Sequence, residues 1–431
     1  MKEKLAIHGG KPAVTIDSTE QWKRPIEEEL KLIQELLEVG YLSGSGSGLP
    51  KEFEEEFRKF IGAEYCLTTD HGTTALMSAY YAVEVGPGDE VITPAAGYIC
   101  SYAGAIHLGA RPVFCDIDPK TLLIDPKDAE SKITRHTRAI NIVHMGGNVC
   151  DMDAFLELGR KYGVAIVEDA AHAHGAEWDG KKIGSIGDIT CFSLQGSNPY
   201  GKAIAGGEGG MVTTNNRELY ERQLIYCHLH RAGLERELTH PAYRMLDDDV
   251  LGLKFRAHPL ALAIAKVSLS TLEDRIERST ENREKVFNAL RELPGLEPEH
   301  TYPKAKRVSL YGGLKVIYHP EELGGLPVER FVEAMQAEGA PVRGPGYKYA
   351  GSTQDLQHLK SLFARGFDLW GHGRGPLGGD FEAPPKGSFP VAESMDKSFL
   401  TLPSYIEPKE GFLDQFIEAF RKVTSNYRSL M

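Results

Sequence analysis

Between about residues 55 and 215, short apolar β-rich runs alternate with stretches of helical periodicity. EVIT (90–93), PVFCDI (112–117), AINIVH (140–144 with its lead-in), VAIVED (164–169), ITCFSL (189–194) and MVTT (211–214) read as strands. Helical patterns lie between them, at 74–85, at 151–162 and after Tyr98. Strands alternating with helices predict an α/β unit, a three-layer and mostly parallel doubly wound sheet. Such sheets bind ligands outside the carboxyl ends of their strands. Chemistry is therefore expected just after each strand. The pattern then changes. Residues 258–290 read as one long helix entered at His258-Pro259, and 308–319 as a strand. Val328, Phe331, Val332 and Met335 keep the spacing of an amphipathic helix, and 412–430 gives another. We expect a large unit with an N-terminal arm over 1–285 and a smaller C-terminal α+β domain over 286–431. Inside the latter, 344–379 holds nine glycines, too many for helix or strand, so a long loop is expected there.

Composition narrows the class. The chain has 431 residues, 41% hydrophobic and 26% charged, as in an ordinary globular protein. The net charge is −12 and no Lys/Arg-rich run stands out, so neither nucleic acid nor an anionic membrane is an expected partner. No apolar run approaches the roughly 18 residues of a membrane span. MKEKLAIHGGKPAV lacks a signal-type apolar stretch, which points to the cytoplasm. The six cysteines lie at least 15 residues apart. Buried free thiols are expected, and no metal site.

Four stretches carry candidate chemistry. In VAIVEDAAHAHGA, Asp169 ends a buried strand and needs a partner, for which a protonated ring nitrogen would serve; a helix cap or a metal ligand is the ordinary alternative. In LTTDHGTTALMSAYYA, Gly72-Thr73-Thr74 opens a helix whose N–H groups and hydroxyls suit a phosphate, or simply cap it. In CFSLQGSNPYGKAIAGGEGGMV, Ser193 follows a strand and Lys202 sits among glycines, placed for a Schiff base or merely solvated. Tyr98 follows EVIT, where its face could stack on a planar ring or pack in a core. Together these are the contacts that pyridoxal 5′-phosphate requires: a phosphate cradle, a stacking aromatic, an acid for the pyridinium and a lysine for the aldehyde.

The sequence resembles the DegT/StrS family of pyridoxal-phosphate-dependent sugar aminotransferases, fold type I. The likeness runs from about residue 6 to 430 and includes LAIHGGKPAV, SGSGSG, EFEEEFRKFIGAEYCLTTDHGTTAL, EDAAHAHGA, GSIGD, GGEGGMV, PVAES and LTLPSY. It implies that Asp169 pairs with the pyridine nitrogen and that His172 lies beside the phenolic oxygen. It implies that Thr73, Thr74 and Ser193 hold the phosphate, Tyr98 covers the ring, and Lys202 is the Schiff-base lysine and the proton-moving base. It further implies a homodimer with shared active sites. The reaction would carry an amino group from glutamate or glutamine to a keto-sugar or keto-cyclitol, by a ping-pong cycle. His172 within EDAAHAHG resembles the cyclitol branch, and so aminocyclitol or amino-sugar antibiotic biosynthesis. His174 reads as structural.

Three departures from the family accompany the likeness. The lysine usually follows the serine by five residues. Here that place is Asn198, and Lys202 lies at nine. A four-residue insertion, 198–201 bulging outward, reconciles the two; the rival reading leaves no Schiff-base lysine. In GLKFRAHP, Lys254 stands where the family has an asparagine that reaches the partner subunit's cofactor phosphate. The 344–379 loop is longer than expected, and Arg343 at its mouth could grip a donor carboxylate or be solvated. The rivals to an aminotransferase are a dehydratase of the same fold, which replaces the lysine, and a non-catalytic regulator that keeps the fold.

Overall fold

A computed structural model of the chain describes residues 3–244, 252–344, 365, 384–395 and 398–431. Seven strands form its central sheet: β1 (Tyr65–Thr69), β2 (Glu90–Pro94), β3 (Arg111–Cys115), β4 (Thr137–Val143), β5 (Ala165–Asp169), β6 (Ile189–Ser193) and β7 (Gly210–Thr214). Their order is β1-β7-β6-β5-β4-β2-β3. From β6 to β3 every neighbouring pair is parallel, and β7 is antiparallel to both its neighbours. Helical crossovers produce the parallel part: Gly72–Ala82 joins β1 to β2, Cys100–His107 joins β2 to β3, and Met152–Tyr162 joins β4 to β5. Between β6 and β7 the chain forms no helix. It returns directly, and that return reverses β7.

The strands alternate their side chains between two apolar layers. Ile140, Ile166 and Phe192 pack with Phe53, Phe57 and Phe155 on one face. Ala139, Val167 and Cys191 pack with Ala75, Leu76 and Tyr80 on the other. The sheet is thus covered on both sides, as its strand composition predicts. A separate core gathers Val286, Val316, Phe331, Leu400, Phe416 and Phe420 around a three-stranded antiparallel sheet (Leu296–Pro298, Leu314–Tyr318 and Phe399–Leu402). Leu5 and Val14 of the N-terminal segment join this core. Glu338, fully buried, accepts from the backbone N–H of Ala6 (2.7 Å) and Ala13 (2.8 Å) and from Lys422 Nζ (2.8 Å).

Several expected elements are redrawn. The helix expected over 258–290 is two, Pro259–Ser270 and Leu272–Leu290, meeting at Thr271. The Ser268 carbonyl there accepts from the Thr271 hydroxyl (3.1 Å) and from Arg275 Nη2 (2.6 Å). The strand expected over 308–319 shrinks to Leu314–Tyr318, because Gly312 and Gly313 turn the chain at φ +89° and +73°. The last helix is Phe412–Ser425, followed by a 3₁₀ turn at Tyr427–Leu430. The glycine-rich loop at 344–379 lies, but for residues 344 and 365, outside the described residues.

Candidate active site

Two acids end β5, and alternation sends them to opposite faces. Glu168 is fully buried and accepts three hydrogen bonds, from His144 Nε2 (2.9 Å), Thr190 Oγ1 (2.7 Å) and Gly187 N (2.8 Å). It is structural. Asp169 is 7% exposed. Ser101 Oγ donates to its Oδ2 (2.7 Å) and Ala171 N to its Oδ1 (3.2 Å). A carboxylate has about four acceptor directions, so Asp169 keeps capacity for one more N–H donor. That capacity, in a buried acid, is what a protonated pyridine nitrogen needs. Ser101 is held in turn, its carbonyl accepting from Asn141 Nδ2 (2.9 Å) and from the Tyr80 hydroxyl.

Lys202 lies in the β6–β7 connection with its residue 9% exposed. Burial disfavours the ammonium and brings its pKa down to about 8, while the charge of Asp169 acts in the opposite sense. Its Nζ sits 4.0 Å from the centre of the Tyr311 ring. The same ring meets His172 edge-on at 4.9 Å. Asn198, the rival for the lysine's place, points elsewhere: it is buried and its Nδ2 donates to Ser268 Oγ. The stretch 198–201 therefore does not bulge outward as a block. Tyr200 projects, 73% exposed, while Asn198 turns in.

His172 Nδ1 accepts from Gly146 N (3.1 Å). Burial, then the nearby Lys202 charge, push its pKa well below the usual range. A neutral ring with Nδ1 accepting carries its proton on Nε2 and can donate from there. His174 is fully buried beside Phe192 (5.2 Å between ring centres), and burial lowers its pKa to about 3, consistent with packing rather than proton transfer.

The start of the Gly72–Ala82 helix faces Ser193. A Cβ on Gly72 would come 2.7 Å from Ser193 Cβ, so only glycine leaves the cradle open. Ser193 Oγ accepts from Gln195 N (3.3 Å) and keeps its proton for another acceptor. The Thr74 hydroxyl donates to Asp70 Oδ1 (2.5 Å) and accepts from His71 N (3.2 Å), at the first turn of the helix. Thr73 and Tyr98 both approach the Cys100 thiol, which also lies in the fields of Asp169 and Lys202. Tyr98 is 61% exposed at the mouth of the site.

Lys254 is not gathered into this cluster. Its side chain is exposed, on a segment that runs past Asp70, whose N–H donates to Phe255 O (2.8 Å). Sequence reasoning missed Ser101, Asn141 and Tyr311. Only Tyr311, set before the Gly312-Gly313 turn, had a local signal.

Tyr311 also lines a cleft of ≈ 580 Å³, with Pro199, Tyr200, Arg343, Thr401 and Tyr405 among others. Beneath Thr401, the buried Lys315 donates to its hydroxyl (2.8 Å), and burial lowers the Lys315 pKa to about 8.

The sequence profile of the DegT/DnrJ/EryC1/StrS aminotransferase family matches residues 24–354. The chain is 32% identical over 357 residues to an L-glutamine:2-deoxy-scyllo-inosose aminotransferase of Streptoalloteichus tenebrarius, covering 80% of this chain and 81% of that one. It is 29% identical over 460 residues to an L-glutamine:scyllo-inosose aminotransferase of Streptomyces griseus, across the full length of both. The crystal structure of an aminotransferase from Psychrobacter cryohalolentis superposes with a TM-score of 0.78 at 25% identity, over 95% of this chain and 99% of that one.

Proposed function

Because the chain belongs to the DegT/DnrJ/EryC1/StrS aminotransferase family, whose cofactor is pyridoxal 5′-phosphate, we propose that it moves the amino group of glutamine to a keto-cyclitol. The observation that carries this reading is the convergence of a buried Lys202, an Asp169 with spare acceptor capacity and a neutral His172 at the carboxyl ends of the strands. The names of the two full-length or near full-length relatives support glutamine as donor and a scyllo-inosose-type ring as acceptor.

The bound cofactor would supply an aldehyde carbon and an electron-accepting ring. Asp169 would hold the ring N–H, with Ser101 and Ala171 fixing its two oxygens. His172 would donate from Nε2 to an oxygen beside the aldehyde. Gly72, the Thr73 and Ser193 hydroxyls and the helix N–H groups would hold the phosphate, and Tyr98 would cover the ring. Lys202 can work as a base at neutral pH because burial keeps part of it unprotonated. Its Nζ would move the Cα proton of the donor to the aldehyde-derived carbon, and in the second half-reaction would move a proton from that carbon to the acceptor carbon that receives the amino group.

A homodimer with shared sites completes this reading. The helix Ile26–Val39 exposes Ile26 (57%), Leu30 (60%) and Leu37 (55%), apolar surface that a partner subunit would cover. Lys254 would then meet the partner's cofactor phosphate. The two separate cores support a division near residue 285. Six free cysteines, five of them buried, suit a reducing cytoplasm.

The test uses glutamine labelled with ¹⁵N at the α-amino group. The holoenzyme is expected to place the label on a scyllo-inosose-type ketone, and Lys202→Ala to abolish the transfer. Label on nucleotide-linked keto-sugars alone would remove the cyclitol assignment. Consumption of a keto-sugar without any amino transfer would favour the dehydratase.

A further inference from the structure

The β6–β7 connection does more than present Lys202. It is closed at its base, where Lys202 N donates to Gln195 O (2.9 Å) and Gly196 exchanges two backbone bonds with Gly207 (2.8 and 2.9 Å). Above that base the chain makes a tight excursion. Gly196 and Gly201 abut so closely that a Cβ on Gly196 would come 2.6 Å from Gly201 Cα. Tyr200 N and Gly201 N both donate to Ser197 O (3.0 and 2.7 Å). Asn198 fastens the excursion to Ser268, whose Oγ also accepts from Ala205 N (3.1 Å).

The excursion is thus braced at base and flank, and Pro199 and Tyr200 are left to line the ≈ 580 Å³ cleft. Tyr311 lines the same cleft, and Lys202 Nζ lies 4.0 Å from its ring centre, so one aromatic ring adjoins both the cleft and the amine. A 73% exposed aromatic on a fixed loop, rimming a cleft, is surface that a ligand can cover. Pro199 adds stiffness, since its φ is fixed by the ring.

We propose that Tyr200 is a specificity-determining residue: its ring packs against the apolar C–H face of a polyhydroxylated acceptor ring and bars acceptors that carry a bulky substituent at that edge. Hydroxyls of the acceptor face Thr401 and Arg343 across the cleft. This rests on the transamination reading above.

The test compares wild type, Tyr200→Ala and Tyr200→Phe as holoenzymes, each half-reaction measured separately. Tyr200 is exposed, so neither substitution threatens the fold. Tyr200→Ala is expected to lower kcat/KM for a free keto-cyclitol at least tenfold, mainly through KM, and more than it lowers the glutamine half-reaction. The ratio of nucleotide-linked to free ketone is expected to rise, and Tyr200→Phe to stay within about threefold of wild type. An unchanged ratio, equal losses in both half-reactions, or a loss explained by a changed oligomeric state would overturn the proposal while leaving transamination standing. A wild-type enzyme that aminates no ketone would overturn the transamination reading and this one with it.

Discussion

At Lys202 the protein sets a proton affinity by exclusion of water. The amine has an ordinary pKa of 10.5 and is brought to about 8 by burial. The sign follows from linkage. Below about pH 8 both the folded and unfolded chains carry the charge, and the folded chain bears the full desolvation cost. Between about 8 and 10.5 the folded chain has released the proton and the cost fades. Lys202→Met in the cofactor-free protein is therefore expected to be more stable than wild type at pH 7, by on the order of 3 kcal/mol. The gap should close as pH rises through that window, and denaturant unfolding across pH checks it; a pH-independent gap would contradict the assignment. The positions of Asp169, His172, Ser193 and Lys202 at or beyond strand ends were legible in the sequence, because apolar runs mark where those strands stop. Ser101 was not: it opens the helix after β2, and its hydroxyl reaches Asp169 at the end of β5, two strands away in the sheet and 68 residues on in the chain.

At the scale of elements, the helix start at Gly72 carries a prediction of its own. Alanine favours a helix, so Gly72→Ala should leave the helix intact. Its methyl would lie 2.7 Å from Ser193 Cβ and fill the phosphate cradle. Cofactor retention on dialysis is expected to fall at least tenfold with the circular dichroism unchanged; retention equal to wild type would place the phosphate elsewhere. The strands β2 to β7 were legible to within about three residues from their apolar runs. The reversal of β7 was not, since orientation depends on what the connection does rather than on the strand's own residues. The break at Thr271 escaped for a similar reason. Apolar periodicity runs on through it, and the side-chain bond of Arg275 to the Ser268 carbonyl beside it is not something periodicity registers. The tie of the Thr74 hydroxyl to Asp70 was not legible either, since the same hydroxyl can serve an anion or its own helix.

For the molecule as a whole, Glu338 fastens the beginning of the chain to its end. Removing its carboxylate leaves the Lys422 ammonium buried and two backbone N–H groups without acceptors. Glu338→Ala is expected to destabilise the fold by about 3–5 kcal/mol. Urea unfolding measures it, and a loss under about 1 kcal/mol would show that water replaces the carboxylate. Long-range ties of this kind leave little trace in composition, whereas a sheet covered on both faces was visible from its strand runs alone. The closed base of the β6–β7 connection has a consequence of another kind. Because the bonds of Gln195 with Lys202 and of Gly196 with Gly207 close the base, exchange of the exposed Tyr200 is expected to leave the amine in place, whereas Gly201, where a Cβ would come 2.5 Å from Ser197 N, has no room for a side chain. Selection, or a designer, can therefore rewrite which ketone is admitted while the proton chemistry is inherited unchanged.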